Sequence, residues 1–114
     1  MTPSELRRLA DRKTADASDC EADAARIRQQ AAALRGLLDP LIPMSQRVWT
    51  GPAAEDFERQ VRVQGGLLEE EADRLLSVAS DLERRAIGLR AEVADLRVRA
   101  ADAEVVATGV PGVA

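Results

Sequence analysis

From residue 61 onward, apolar or glycine residues recur at alternating spacings of four and three. The set is Val61, Gly65, Leu68, Ala72, Leu75, Ala79, Leu82, Ala86, Leu89, Val93, Leu96, Ala100 and Ala103. A seven-residue repeat sustained this long marks the seam of a coiled-coil helix. Its two columns differ in size. Leucine fills one (Leu68, Leu75, Leu82, Leu89, Leu96), and small residues fill most of the other (Gly65, Ala72, Ala79, Ala86, Ala100). The first third of the chain follows the same scheme: Leu6, Ala10, Lys13, Ala17, Cys20, Ala24, Ile27, Ala31, Leu34, Leu38 and Leu41. Lys13 is the one polar member, and its alkyl stem can lie along the seam while the ammonium stays in water.

Punctuation residues bound these two segments. Thr2-Pro3-Ser4-Glu5 combines a capping threonine, a proline suited to the first helical position and a glutamate that completes a capping box. Helix one is expected from Pro3 to about Leu38. Residues 39–51 form the connection, which holds Pro40 and Pro43 and precedes Pro52. Proline removes a backbone donor and restricts the residue before it, so continuous helix is not expected here. Its apolar residues suggest a packed connection, with room for a helical turn from Ser45 to Val48. Gly51-Pro52 restarts the chain as helix two, over residues 52 to about 104. Gly65-Gly66 weakens that helix by roughly 1 kcal/mol per glycine, but the repeat keeps phase across the pair, so the helix should continue. Residues 1–107 then form a hairpin domain, and the Gly- and Pro-containing tail 108–114 is expected to be disordered.

Matched alanine columns imply close approach of the helices, toward the short end of the ~8–10 Å range of interaxial distances. The fold expected is all-α: an antiparallel two-helix, coiled-coil-like hairpin with seam residues Leu6, Ala24, Ile27, Leu34, Leu68, Leu75 and Leu82. Two helices alone enclose little, and Leu9, Leu37, Leu67, Leu76, Val78, Ile87 and Val98 fall outside the seam. Helix two is also the longer, and closure at the turn would leave its C-terminal end, with Leu89, Val93 and Leu96, lacking anything opposite. Leu67, Leu76, Leu89, Val93 and Leu96 are therefore the candidate partner interface. Burying a leucine contributes roughly 1.5–3 kcal/mol, so pairing into a four-helix dimer is the economical arrangement. A monomer with frayed ends is the alternative.

Composition narrows the chemistry. The 114 residues include no histidine and a single cysteine. Ser- and Cys-based triads lack their usual base, and zinc or di-iron sites lose their imidazole ligands. Cys20 sits on the seam, where a free thiol behaves as a small hydrophobe. Glu69-Glu70-Glu71 point in different directions on a helix and read as a solvated face. No enzyme, cofactor or metal is expected. The net charge of −4 argues against nucleic acid. No apolar run approaches the ~20 residues of a membrane span, and the polar stretch Met1 to Lys13 is unlike a Sec-type signal peptide. Fifteen arginines against one lysine suggest a GC-rich genome.

Trp49-Thr50-Gly51 lies between the helical segments and is followed by Pro52-Ala53-Ala54-Glu55-Asp56-Phe57. In this the chain resembles the W-x-G family of small helical hairpins, the early secreted antigenic target type, exported by type VII secretion systems in actinobacteria and related bacteria. The likeness of architecture spans nearly the whole chain; that of motif is confined to residues 49–57, on Trp49, Gly51, the Ala53-Ala54 pair and Phe57. Gly51 offers a backbone freedom that a side chain would block. Trp49 can bury its ring at the bundle end, with Phe57 near enough to pack on it. The resemblance implies a secreted or cell-surface protein, exported without a signal peptide. It would work as a homodimer or as a heterodimer with another small helical protein, and a larger secreted effector is a further candidate partner. The sequence also departs from the pattern. The family's export signal includes Tyr-x-x-x-Asp/Glu late in helix two, and this chain has no tyrosine. Leu89 and Val93 occupy that spacing. The Pro40–Pro43 stretch and the long second helix are likewise unlike compact members. The alternative is a cytoplasmic coiled-coil adaptor, or a chaperone for a larger effector, that is not itself secreted. In either case Leu82→Asp, which places a charge in the seam, should abolish the cooperative thermal transition followed by circular dichroism.

Overall fold

A computed structural model describes residues 1–37, 39–40 and 50–109. Their regular structure is helical, with no strand among them: α1 spans Pro3–Gly36 (34 residues) and α2 spans Pro52–Ala107 (56 residues). The chain is an all-α helical hairpin. α1 begins as its first residues dictate. Thr2 Oγ1 accepts a hydrogen bond from the Glu5 amide at 3.1 Å, and the Thr2 carbonyl accepts from Leu6 N–H at 3.0 Å, so two orphan donors of the first turn are satisfied. It stops at Gly36, two residues before the expected end. α2 runs unbroken through Gly65-Gly66 and ends at Ala107, three residues beyond the expected end. Gly109, at φ +59°, follows as a left-handed terminator whose amide donates to the Val106 carbonyl. The connection around Ser45 to Val48, and the tail from 110, lie outside the described residues.

The chain divides into two compact units. The first joins Met1–Asp23 to Asp81–Ala114. Leu6 and Ala10 pack there with Val93, Leu96 and Ala100, flanked by Leu9 and Ala103. A second cluster holds Ala17, Ala86 and Leu89, with Cys20 against it. Ion pairs link the two helices outside these clusters: Arg7 with Glu104, Lys13 with Glu92 at 2.7 Å, and Glu21 with Arg90. As the α1 partner advances along the chain, the α2 partner retreats, so the helices run antiparallel.

The second unit is Ala24–Ser80. Ala24, Ala31, Ala72 and Ala79 are buried, while Ile27, Leu34, Leu68 and Leu75 are half-buried. Here too the pairing is antiparallel. Arg28 donates to Ser80 Oγ, and Arg35 reaches Asp73 at 2.7 Å.

Among the described residues, all the buried hydrophobic ones belong to the two seam sets, and every seam member is buried or half-buried. The alanines are the most enclosed: Ala17, Ala72 and Ala79 are fully covered. A methyl group keeps the helix surfaces close, and of the longer seam side chains Leu6, Leu89, Val93 and Leu96 are buried while Ile27, Leu34, Leu68, Leu75 and Leu82 keep one edge in solvent. Lys13 behaves as its position demands, with a part-buried stem and its ammonium on the Glu92 carboxylate.

One expectation is corrected. Leu89, Val93 and Leu96 were expected on an overhang with nothing opposite; they are buried against Leu6, Ala10 and Ala17. The excess length of α2 lies at its N-terminal end, because α1 ends one residue past Arg35, and Arg35 is already opposite Asp73. Roughly 20 residues of α2, about 30 Å of helix, precede that point. The connection permits this offset: about 15 residues can span up to ~50 Å, so closure at the turn does not tie the end of α1 to the start of α2.

Enlarging a fully covered alanine tests the close approach. Ala79→Leu should lower stability by about 1–3 kcal/mol through overpacking, read as a lower urea midpoint. An unchanged midpoint would mean that the helices stand apart at that rung.

Candidate interaction surface

Trp49 lies outside the described residues. Gly51 adopts φ +111° immediately before Pro52, the first residue of α2, and its carbonyl accepts the Glu55 amide at 3.1 Å. That φ is one that residues with a Cβ rarely adopt. A Cβ built at Gly51 would meet nothing within 4 Å. Glycine is therefore required here by conformation and not by close approach. Phe57 and Ala54 are half-buried on one side of the first turns of α2, and Ala53 is exposed.

The candidate partner residues separate into two groups. Leu89, Val93 and Leu96 are enclosed between the helices of the first unit, so they are not available as an outer surface. Leu67 is exposed and Leu76 half-buried, both in the second unit. Leu37 and Val63 of that unit are exposed as well, as is Val78. In the first unit Ile87, Val98, Val105 and Val106 are exposed. On α2 of the first unit, Ile87, Val98 and Val105 share one face with the exposed Ala91, Ala94 and Ala101, at alternating spacings of four and three that make an outer apolar stripe; the exposed apolar residues of the second unit do not extend it.

The grooves beside the first unit's seam carry mixed charge. One is lined by Leu9, Lys13, Ala91, Glu92, Asp95, Leu96 and Arg99. The other is lined by Arg7, Ala10, Asp11, Arg97, Ala100 and Ala101. Among the described residues no polar or charged side chain is buried, and no three Cys, Asp or Glu side chains stand together in a way that could hold a metal ion. No helix among them is long and apolar enough to cross a membrane.

Reading the seam alone misses the residues that select its register. Arg7 and Glu21 occupy equivalent heptad positions on α1, and Glu104 and Arg90 do so on α2. Taken with Lys13 on Glu92, all the signs match only in the observed alignment, because a one-heptad slip either way sets Lys13 against Arg85 or Arg99. A slip of one heptad toward the α2 N-terminus would also set Arg7 against Arg97 and Glu21 against Glu83. Each exposed pair contributes no more than about 1 kcal/mol. Differences of that size still matter when the competing registers bury near-identical alanine rungs. The signal was present in the sequence, as charge order at positions flanking the seam.

Against known proteins, no family model, no curated sequence and no solved structure matches the chain.

Two glycine variants separate conformation from composition at the turn. Gly51→Ala should cost about 1–3 kcal/mol, because alanine is strained at that φ. Gly36→Ala, at a helical position with open space around it, should be neutral or stabilising in the same thermal melts.

Proposed function

We propose that this chain is a non-enzymatic interaction protein of the W-x-G hairpin type, linked to type VII secretion and acting through helix–helix packing with another helical chain. The observation that carries the reading is Gly51. It takes a left-handed backbone at the residue immediately before α2, in a Trp-x-Gly sequence between two helices whose alanine columns pack together. That placement gives the glycine of the motif a physical task, which is to take a backbone conformation closed to other residues directly ahead of the second helix. The absence of histidine from the sequence and the mixed-charge, solvated grooves support a binding role over catalysis. The partner is a second copy or another small helical protein, and a larger secreted effector is a further candidate.

A second reading is a cytoplasmic adaptor or effector chaperone of the same shape. It is favoured by one feature, the lack of any tyrosine and hence of a Tyr-x-x-x-Asp/Glu export signal. On the first reading, export depends on a partner that carries the signal.

A tagged chain expressed in its host with an active type VII system, alone and with the product of its neighbouring gene, distinguishes the two. The first reading expects the tag in the culture filtrate or on the cell surface when the partner is present, and its loss when the secretion ATPase is removed. Full retention in the cytoplasm in a stable complex with a helical partner would overturn the first reading in favour of the second.

A further inference from the structure

α2 changes character within the Ala24–Ser80 unit. From Ala72 onward its alanine positions are buried, Ala72 and Ala79 completely. Before Ala72 no residue of α2 reaches burial: Ala54, Phe57, Val61, Gly65 and Leu68 are half-buried, and the remaining residues of 52–71 are exposed. The change coincides with the end of α1, where Arg35 reaches Asp73 and the helix stops at Gly36.

A glycine pair sits just ahead of that boundary. Gly65 occupies a seam place filled elsewhere by alanine or a larger apolar residue, so this rung lacks its methyl. Gly66 is exposed, and a Cβ there would meet nothing within 4 Å. Close packing does not call for glycine at 66, so the residue lowers helix propensity with nothing gained in contact. Gly88, elsewhere in α2, also faces open space. It lies between Ala86 and Leu89, both buried against Ala17, and those contacts hold the helix through it.

We propose that residues 52–66 of α2 melt and re-form as a local cooperative unit bounded by Gly65-Gly66, while the alanine-packed length from Ala72 stays folded. The opening uncovers a half-buried stripe, Phe57 and Val61 included, and breaks helical hydrogen bonds and the exposed Arg59–Asp56 pair, without disturbing any buried residue of α2; so shallow a covering belongs to the low end of the stability range within a chain. Two adjacent glycines make the boundary, because helix propagation across them is the least favourable step in α2. Opening releases the half-buried Phe57 and Val61 without separating the alanine rungs. The device is independent of any export route.

Native-state hydrogen exchange of the full chain, read by amide in low denaturant, tests this. Amides 56–66 should share one opening, at least about tenfold more frequent than that exposing amides 72–79. Gly66→Ala should slow exchange over 56–66 about fivefold, since alanine favours the helical form by about 1 kcal/mol. Val93→Ala, which trims the buried cluster around Leu6 and Leu96, should accelerate exchange of the slowest amides of 86–100 and leave 56–66 unchanged. Three results overturn the proposal: equal protection over 56–79, no response of 56–66 to Gly66→Ala, or equal acceleration of both segments by Val93→Ala.

Discussion

The contact between facing alanine columns is the constraint from which the other features follow. A methyl group is small enough to bring two helix surfaces close together, and it loses no rotamer freedom when covered. Ala17, Ala72 and Ala79 are fully enclosed for that reason, while most of the leucines and the isoleucine of the alternate column keep an edge in water. The exposed interhelical ion pairs contribute less to stability and more to alignment. They sit at the margin of the seam, where the observed alignment joins opposite signs throughout and either one-heptad slip opposes Lys13 to an arginine.

The helices and their buried faces were legible because each rests on local rules. Thr2, Pro3 and Glu5 mark a start, and the start forms with the Thr2 side chain on the Glu5 amide. The seven-residue repeat names the buried residues, Lys13 behaves as an amphipathic seam residue, and phase across Gly65-Gly66 foretells an unbroken α2. Register was read wrongly because it is non-local. Alanine rungs seven residues apart are almost interchangeable, so the apolar pattern cannot rank one alignment above its neighbour. Assuming that the turn closes tightly placed Leu89, Val93 and Leu96 in solvent. The pairing of Arg7 with Glu104 and of Glu21 with Arg90 places them inside.

The interaction surface was less legible for a related reason. A hydrophobic residue outside the seam is a candidate for a partner only if neighbours on the same face join it. Ile87, Val98 and Val105 meet that condition only together with Ala91, Ala94 and Ala101, alanines on the outer face that the inner seam pattern does not single out. Gly51 gave a clearer signal, since a glycine between Trp49-Thr50 and a helix-starting proline has few tasks other than a backbone turn. Its φ of +111° is that turn.

A core made of methyl groups also has a calorimetric signature. Unfolding exposes apolar surface in proportion to what was covered, and that exposure sets most of the heat-capacity increment. With Ala10, Ala17, Ala24, Ala31, Ala72, Ala79, Ala86 and Ala100 making up most of the buried set, the increment should fall below the usual value of roughly 12–15 cal/mol/K per residue. The free-energy curve of this hairpin is then shallow in temperature. Its stability varies little between cold and warm conditions, and cold denaturation recedes far below freezing.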